Sequence, residues 1–213
     1  MGARRGKARR WASQQSRDPW VRKARARGLP SRSAFKLEEV ADRYELLRRG
    51  QAVLELGAAP GGWTRLAARA VAPGGTVVAV DRLPMKAPAG ATFLQGDLRD
   101  AAVLRRALEA LGGGADVVLC DIAPNLTGIR DVDEANQAEL AEVAAAAAAA
   151  ALKAGGAFLI KAFEGAGSEA LRERLRGEYE RVRRLKPEAS RARSSEFYLL
   201  GRGFRAAKGS GAL

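Results

Sequence analysis

Asp121 directly follows the apolar run Val117–Cys120, and Lys161 directly follows Phe158–Ile160. If those runs are strands of a parallel sheet, both residues lie at its carboxyl edge, where open α/β sheets place their ligands. Glu196 opens a late apolar run and Lys36 sits in a helical stretch, so both can converge on the same edge. Singly, each is unremarkable, because a lone Lys or Glu at an element's end is usually a solvated surface group. The chain holds no histidine and one cysteine, Cys120. A His-based triad, a zinc finger, an HExxH metal site and an internal disulfide are therefore excluded, and proton chemistry falls to Lys, Asp, Glu or Tyr.

A second set of residues suits a nucleotide-like ligand. Leu54-Glu-Leu-Gly57-Ala-Ala-Pro60-Gly61-Gly-Trp63 follows one strand and opens a helix, where free backbone N–H groups are available. A dinucleotide loop reads Gly-x-Gly-x-x-Gly, but Ala59 replaces the middle glycine that lets backbone approach a pyrophosphate. A nicotinamide oxidoreductase is disfavoured on that ground. Asp81 ends the next strand, where its carboxylate can accept hydrogen bonds from both ribose hydroxyls of an adenosine, and Asp97 ends the third strand near the adenine position. S-adenosylmethionine satisfies all three features. Glycines and proline alone could form no more than a tight turn; the ordered set with Asp81 and Asp97 argues against that.

The elements that position these groups alternate along the chain. Phe35, Leu37, Val40, Tyr44 and Leu47 have helical spacing, with Ser33 as N-cap and Gly50 as stop. The pattern then predicts strand Ala52–Leu56, helix Gly62–Val71, strands Thr76–Val80 and Ala91–Gln95, helix Asp100–Leu111 and strand Asp116–Cys120. A long Ala-rich helix from Asp133 to Lys153 follows, then strand Ala157–Ile160, helix Ser168–Arg176, and strands Tyr179–Leu185 and Glu196–Leu200. Alternation of this kind predicts a Rossmann-like α/β fold with a mostly parallel seven-stranded sheet. The link between the last two strands is too short for a helical crossover, so the last strand is expected to run antiparallel.

The 213 residues and 47% hydrophobic content suit one core. We expect a basic, flexible arm over residues 1–30, one domain over 31–203 and a flexible tail over 204–213. The formal charge of +13 suits a polyanion, and nine net positive charges fall within residues 1–30, which suits phosphates. No apolar run is long enough for a membrane span and the start lacks a signal-peptide core, so a cytoplasmic location is expected, with an organellar transit peptide as the second reading.

The motifs together resemble the FtsJ/RrmJ family of ribosomal RNA large-subunit 2′-O-methyltransferases. The resemblance is carried by Ser33-Ala-Phe-Lys-Leu, Leu56-Gly-Ala-Ala-Pro-Gly-Gly-Trp63, Asp81-Arg-Leu-Pro-Met85, Phe93-Leu-Gln-Gly-Asp97, Asp121-Ile-Ala-Pro-Asn125, Lys161-Ala-Phe-Glu-Gly165 and Ser190-Arg-Ala-Arg-Ser-Ser-Glu196. It implies a catalytic tetrad of Lys36, Asp121, Lys161 and Glu196, with Lys161 taking or directing the hydroxyl proton. It implies a cofactor site of Gly57, Pro60, Gly61, Trp63, Asp81, Asp97 and Asp121, and no metal. The implied substrate is a uridine in the A-loop of large-subunit ribosomal RNA, free or within an assembled subunit, acted on by a monomer. Action on transfer RNA or another RNA, and a non-catalytic RNA-binding assembly factor, are the competing readings.

Chemistry agrees with the implied tetrad. A ribose hydroxyl is a poor nucleophile until its proton is being removed. A free Lys, at a pKa of about 10.4, is mostly charged, so a base role needs desolvation and a second cation nearby. Lys36 is the candidate cation, while Asp121 and Glu196 favour the charged form, in which Lys161 would instead orient the hydroxyl as a donor. Both roles remain open.

Overall fold

The computed structural model describes residues 18–124, 127–191 and 194–206. Six helices are described: α1 (Pro19–Ala26), α2 (Ser33–Tyr44), α3 (Gly62–Val71), α4 (Ala101–Leu111), α5 (Arg130–Ala151) and α6 (Ala166–Glu178). Seven strands, β1 (Ala52–Leu56), β2 (Thr76–Asp81), β3 (Ala91–Gln95), β4 (Ala115–Cys120), β5 (Leu152–Phe163), β6 (Tyr179–Leu185) and β7 (Glu196–Phe204), form one sheet in the order β3-β2-β1-β4-β5-β7-β6. β7 is antiparallel to both its neighbours, and the other pairings are parallel. Order reverses between β1 and β4, the switch point at which such sheets open a ligand crevice.

Both faces of the sheet are covered, which is why β1 and β4 read as near-continuous apolar runs. Val103, Ala107, Leu171 and Leu175 cover one face with the buried alanines of α5, and Leu37, Val40, Trp63, Ala67 and Val71 cover the other. Alanine serves α5 twice: it is the best helix former, and Ala144, Ala145 and Ala148 let the helix lie close against the sheet.

Several boundaries differ from the expectations. α2 begins with Ser33 itself and ends at Tyr44, because Glu45 takes a left-handed φ of 47° and closes the turn. α5 starts at Arg130 and ends at Ala151; β5 then begins at Leu152 but shifts register before Ala157, opposite Val117. β7 runs on to Phe204, four residues past the expected end, because its outer side pairs with β6 as far as Tyr179.

The flexible arm is the main correction. Residues 18–30 are folded: Asp18 caps α1 by accepting the Trp20 N–H at 3.0 Å, Pro19 fits the first turn, and Ala24 is buried against Phe35 and Ala189. The expectation missed this because a single small residue and one aromatic, Trp20, anchor the helix, too little to register as an apolar stripe. The rest of the arm, residues 1–17, and the tail from 207 onward lie outside the described residues, as does Asn125.

Candidate active site

Sheet register assembles the site. Leu56 pairs with Cys120 and Cys120 with Ile160, so Gly57, Asp121 and Lys161 leave three adjacent strands side by side. Lys161 pairs with Tyr198 and Phe163 with Glu196 across the antiparallel β5–β7 ladder, which brings the last strand's polar groups to the same edge. Lys36 arrives from α2, 160 residues away in sequence from the carboxylate it meets.

All four expected tetrad members come together, in two ion pairs. Lys36 Nζ donates to Glu196 Oε1 at 2.5 Å, with both residues buried at 4% and 9% exposure. Lys161 Nζ donates to the Asp121 carboxylate and carbonyl oxygens, both at 3.1 Å. A residue that the sequence reading missed joins the pairs: the Tyr198 hydroxyl donates to Asp121 Oδ1 at 2.5 Å and accepts from Lys36 Nζ at 3.3 Å. Its signal was present, since Tyr198 lies two residues beyond Glu196 and period-two alternation puts both on one face of the strand.

The network is charge-balanced, which is what allows four ionisable groups to sit with little exposure. Burial pushes the Glu196 carboxyl upward, but the Lys36 ammonium, helped by Lys161, outweighs it and holds the group below its ordinary value. Burial, then the Asp121 carboxylate, pushes the Tyr198 hydroxyl well above its ordinary value, so it stays protonated and available as a donor. Burial also pushes the Cys120 thiol up to about 12, which removes it as a nucleophile.

Beside the network lies a cleft of about 650 Å³ lined by Gly57, Ala59, Asp81, Asp97, Leu98 and Asp121, with Ile122 and Pro124 on the β4 side. Gly57 is obligatory there: its φ is 77°, and a Cβ would stand 1.9 Å from Ile122 Cγ1. Asp81 fastens both lips, since its Oδ2 accepts the Ala59 N–H and its Oδ1 the Leu83 N–H, each at 2.8 Å. Asp97 accepts the Arg99 N–H at 3.0 Å. Pro60, Gly61 and Trp63 are not among the lining residues. Gly61 takes a φ of 93° to start α3, and Trp63 is a core aromatic, 2% exposed, whose ring lies 5.8 Å from that of Tyr198 while Nε1 donates to the Ser33 carbonyl.

Glu55, also absent from the sequence reading, is a buried carboxyl beneath the cleft. Its Oε2 and the Thr64 Oγ1 have no hydrogen-bond partner among the described residues. Burial pushes Glu55 up to about 8, the nearby Thr64 hydroxyl pulls it down, and the Asp121 and Asp81 carboxylates add to the rise. The folded state thus holds a proton that the unfolded chain releases near pH 4.5, and the associated stability is present below that pH and lost as pH rises toward 8. Glu55→Gln is expected to abolish this slope. Its unfolding free energy should gain on that of the wild type progressively from pH 5 to 8, by on the order of a few kcal/mol at about 1.4 kcal/mol per pH unit. Parallel pH–stability curves for the two proteins would contradict a protonated Glu55.

The FtsJ-like methyltransferase family matches residues 29–204. Ribosomal RNA large subunit methyltransferase E of Acidithiobacillus ferrooxidans is 46% identical over 202 residues, covering 95% of this chain and 92% of its own. The Xanthomonas oryzae protein of the same name is 48% identical over 207 residues, covering 96% and 98%. Among solved structures, a Plasmodium falciparum chain described as a ribosomal RNA methyltransferase superposes with a TM-score of 0.72 at 24% identity, covering 82% of this chain and 97% of its own. That likeness is one of fold.

Proposed function

Because the chain belongs to the FtsJ-like methyltransferase family, we propose that it moves the methyl group of S-adenosylmethionine to a ribose 2′-hydroxyl of large-subunit ribosomal RNA, by resemblance an A-loop uridine. The observation that carries the reading is Lys161, held on Asp121 at the sheet edge immediately beside the Gly57–Asp81–Asp97 cleft. The residues fit the cofactor: Asp81 and Asp97 offer carboxylate oxygens to hydroxyl and amine donors at the wall of the cleft. When bound, S-adenosylmethionine supplies an electrophilic methyl on a sulfonium.

Lys161 does the work on the nucleophile. Two of its N–H donors are engaged by Asp121, which leaves a third to hold the 2′-hydroxyl oxygen with a lone pair toward the cleft. As the C–O bond forms the methyl's C–S bond breaks with its electron pair left on sulfur, and the hydroxyl proton passes to solvent water when Lys161 acts as the charged donor, or to its Nζ when it acts as the neutral base. The Asp121–Tyr198–Lys36–Glu196 chain keeps Lys161 oriented throughout. A purely binding protein has no use for a buried and a half-buried ion pair at this edge, since each costs desolvation.

Mass mapping of ribose methylation in large-subunit ribosomal RNA, from cells with and without the protein, tests the reading. One ribose methyl is expected to vanish with the protein and return when purified protein and S-adenosylmethionine are supplied. An unchanged methylation map, or loss of a methyl in transfer RNA alone, would overturn the assignment.

A further inference from the structure

We infer that the exposed face of α1, through Arg22 and Arg25, is a phosphate-docking surface that sets the distance between the RNA backbone and the tetrad. The inference rests on the RNA reading above and names the surface that would serve it. Three cations and no acid occupy the eight residues of α1, and Arg27 at its C-cap makes a fourth cation. They divide by helix geometry. Lys23 and Arg27, one turn apart, lie over aromatic rings: Lys23 Nζ is 4.9 Å from the Trp20 ring and 5.0 Å from that of Phe35, and Arg27 is 5.3 Å from the latter. Arg27 is also paired with Glu38 at 3.0 Å. Arg22 and Arg25, three apart on another face, are exposed and have no carboxylate partner among the described residues.

Favourable interaction with the helix dipole accounts for Arg25 in the last turn but not for Arg22 in the middle. Unpaired guanidinium groups in a fixed fork match phosphate oxygens, and their partner on this chemistry is a nucleic-acid backbone. The helix cannot drift relative to the chemistry. Asp18, its N-cap, is paired with Arg32 at 2.6 Å and approaches Arg191 at 3.9 Å, five residues before Glu196. Phe35, which covers Ala24 and meets Trp20 at 5.3 Å, is the residue next to Lys36. A phosphate held on α1 is thereby held at a set distance from both ends of the Lys36–Glu196 pair, with little ordering entropy left to lose on binding.

The test uses the full chain, with Arg22→Ala/Arg25→Ala and Arg22→Lys/Arg25→Lys double variants, on large ribosomal subunits from cells lacking the protein. For the alanine variant, KM for subunits is expected to rise tenfold or more, with kcat at saturating subunits and S-adenosylmethionine affinity within twofold of wild type. The slope of log affinity against log monovalent salt should fall by about 1.4 to 1.8, at roughly 0.7 to 0.9 per lost phosphate contact. The lysine variant should keep the slope. Unchanged KM and slope in the alanine variant would overturn the surface, and so would a lowered kcat with KM unchanged, or a melting temperature that falls enough to explain the loss. Wild-type protein that neither binds nor methylates the subunits would instead sink the RNA reading itself.

Discussion

Lys161→Ala is expected to lower kcat by about 10²- to 10⁴-fold, the range a positioned proton-handling group contributes, or about 3–5 kcal/mol at 1.36 kcal/mol per decade. Cofactor affinity should stay within about twofold, because Lys161 does not line the cleft and its Nζ contacts only Asp121 within hydrogen-bond reach. Lys161→Arg separates the two roles left open by the sequence. A guanidinium still donates hydrogen bonds to Asp121 and to a hydroxyl, but it cannot take a proton. Substantial turnover by the arginine variant would assign orientation to Lys161, and an arginine variant as inactive as alanine would assign it the base role. Single-turnover rates at saturating RNA make the comparison; near-normal turnover by the alanine variant would remove Lys161 from the reaction.

Asp81→Ala should act on binding instead. In the proposed cofactor site its carboxylate accepts the two ribose hydroxyls of an adenosine, charge-assisted bonds whose loss is expected to weaken S-adenosylmethionine by tenfold or more, about 1.4 kcal/mol per decade. The structure adds a reason for a large effect. The same two oxygens hold the Ala59 and Leu83 N–H groups at 2.8 Å, so alanine also releases the loops on both sides of the cleft. Asp81→Asn, which keeps one acceptor oxygen, is expected to lose less than Asp81→Ala. Calorimetry gives the dissociation constants, and thermal shift with S-adenosylmethionine against NAD checks ligand identity, since only a native-state ligand raises apparent stability. An unchanged dissociation constant in Asp81→Ala would remove Asp81 from the cofactor site.

Much of this site was legible because it depends on strand ends. Asp81, Asp121 and Lys161 each follow an apolar run directly, and once the runs are parallel strands their ends must share an edge. Gly57 was legible as a loop glycine, but the reason no other residue fits, the Ile122 side chain 1.9 Å from a hypothetical Cβ, is a contact between two loops separated by 65 residues. Tyr198 and Glu55 were passed over for opposite reasons. Tyr198 looked like one more apolar residue of a buried strand, and Glu55 like a stray acid before a glycine. Neither pattern carries information about what lies across the sheet. The N-terminal segment was misread as flexible through residue 30 because charge density dominated its composition, while its anchors, Asp18 to Arg32 and Trp20 to Phe35, are partners found only in the fold.

The order of strands and helices, the antiparallel last strand and the family were determined by the sequence, since hydrophobic period, link length and motif order are local properties. The pairing inside the tetrad was decided by tertiary structure. Four charges at one edge admit several combinations, and the register of β5 on β7, together with the approach of α2, selects Lys36 with Glu196 and Lys161 with Asp121, bridged by Tyr198. Hydrogen bonds are lost within a few ångströms, so partners brought from as far as 160 residues away are set by where the backbone ends up and not by what stands next in the chain.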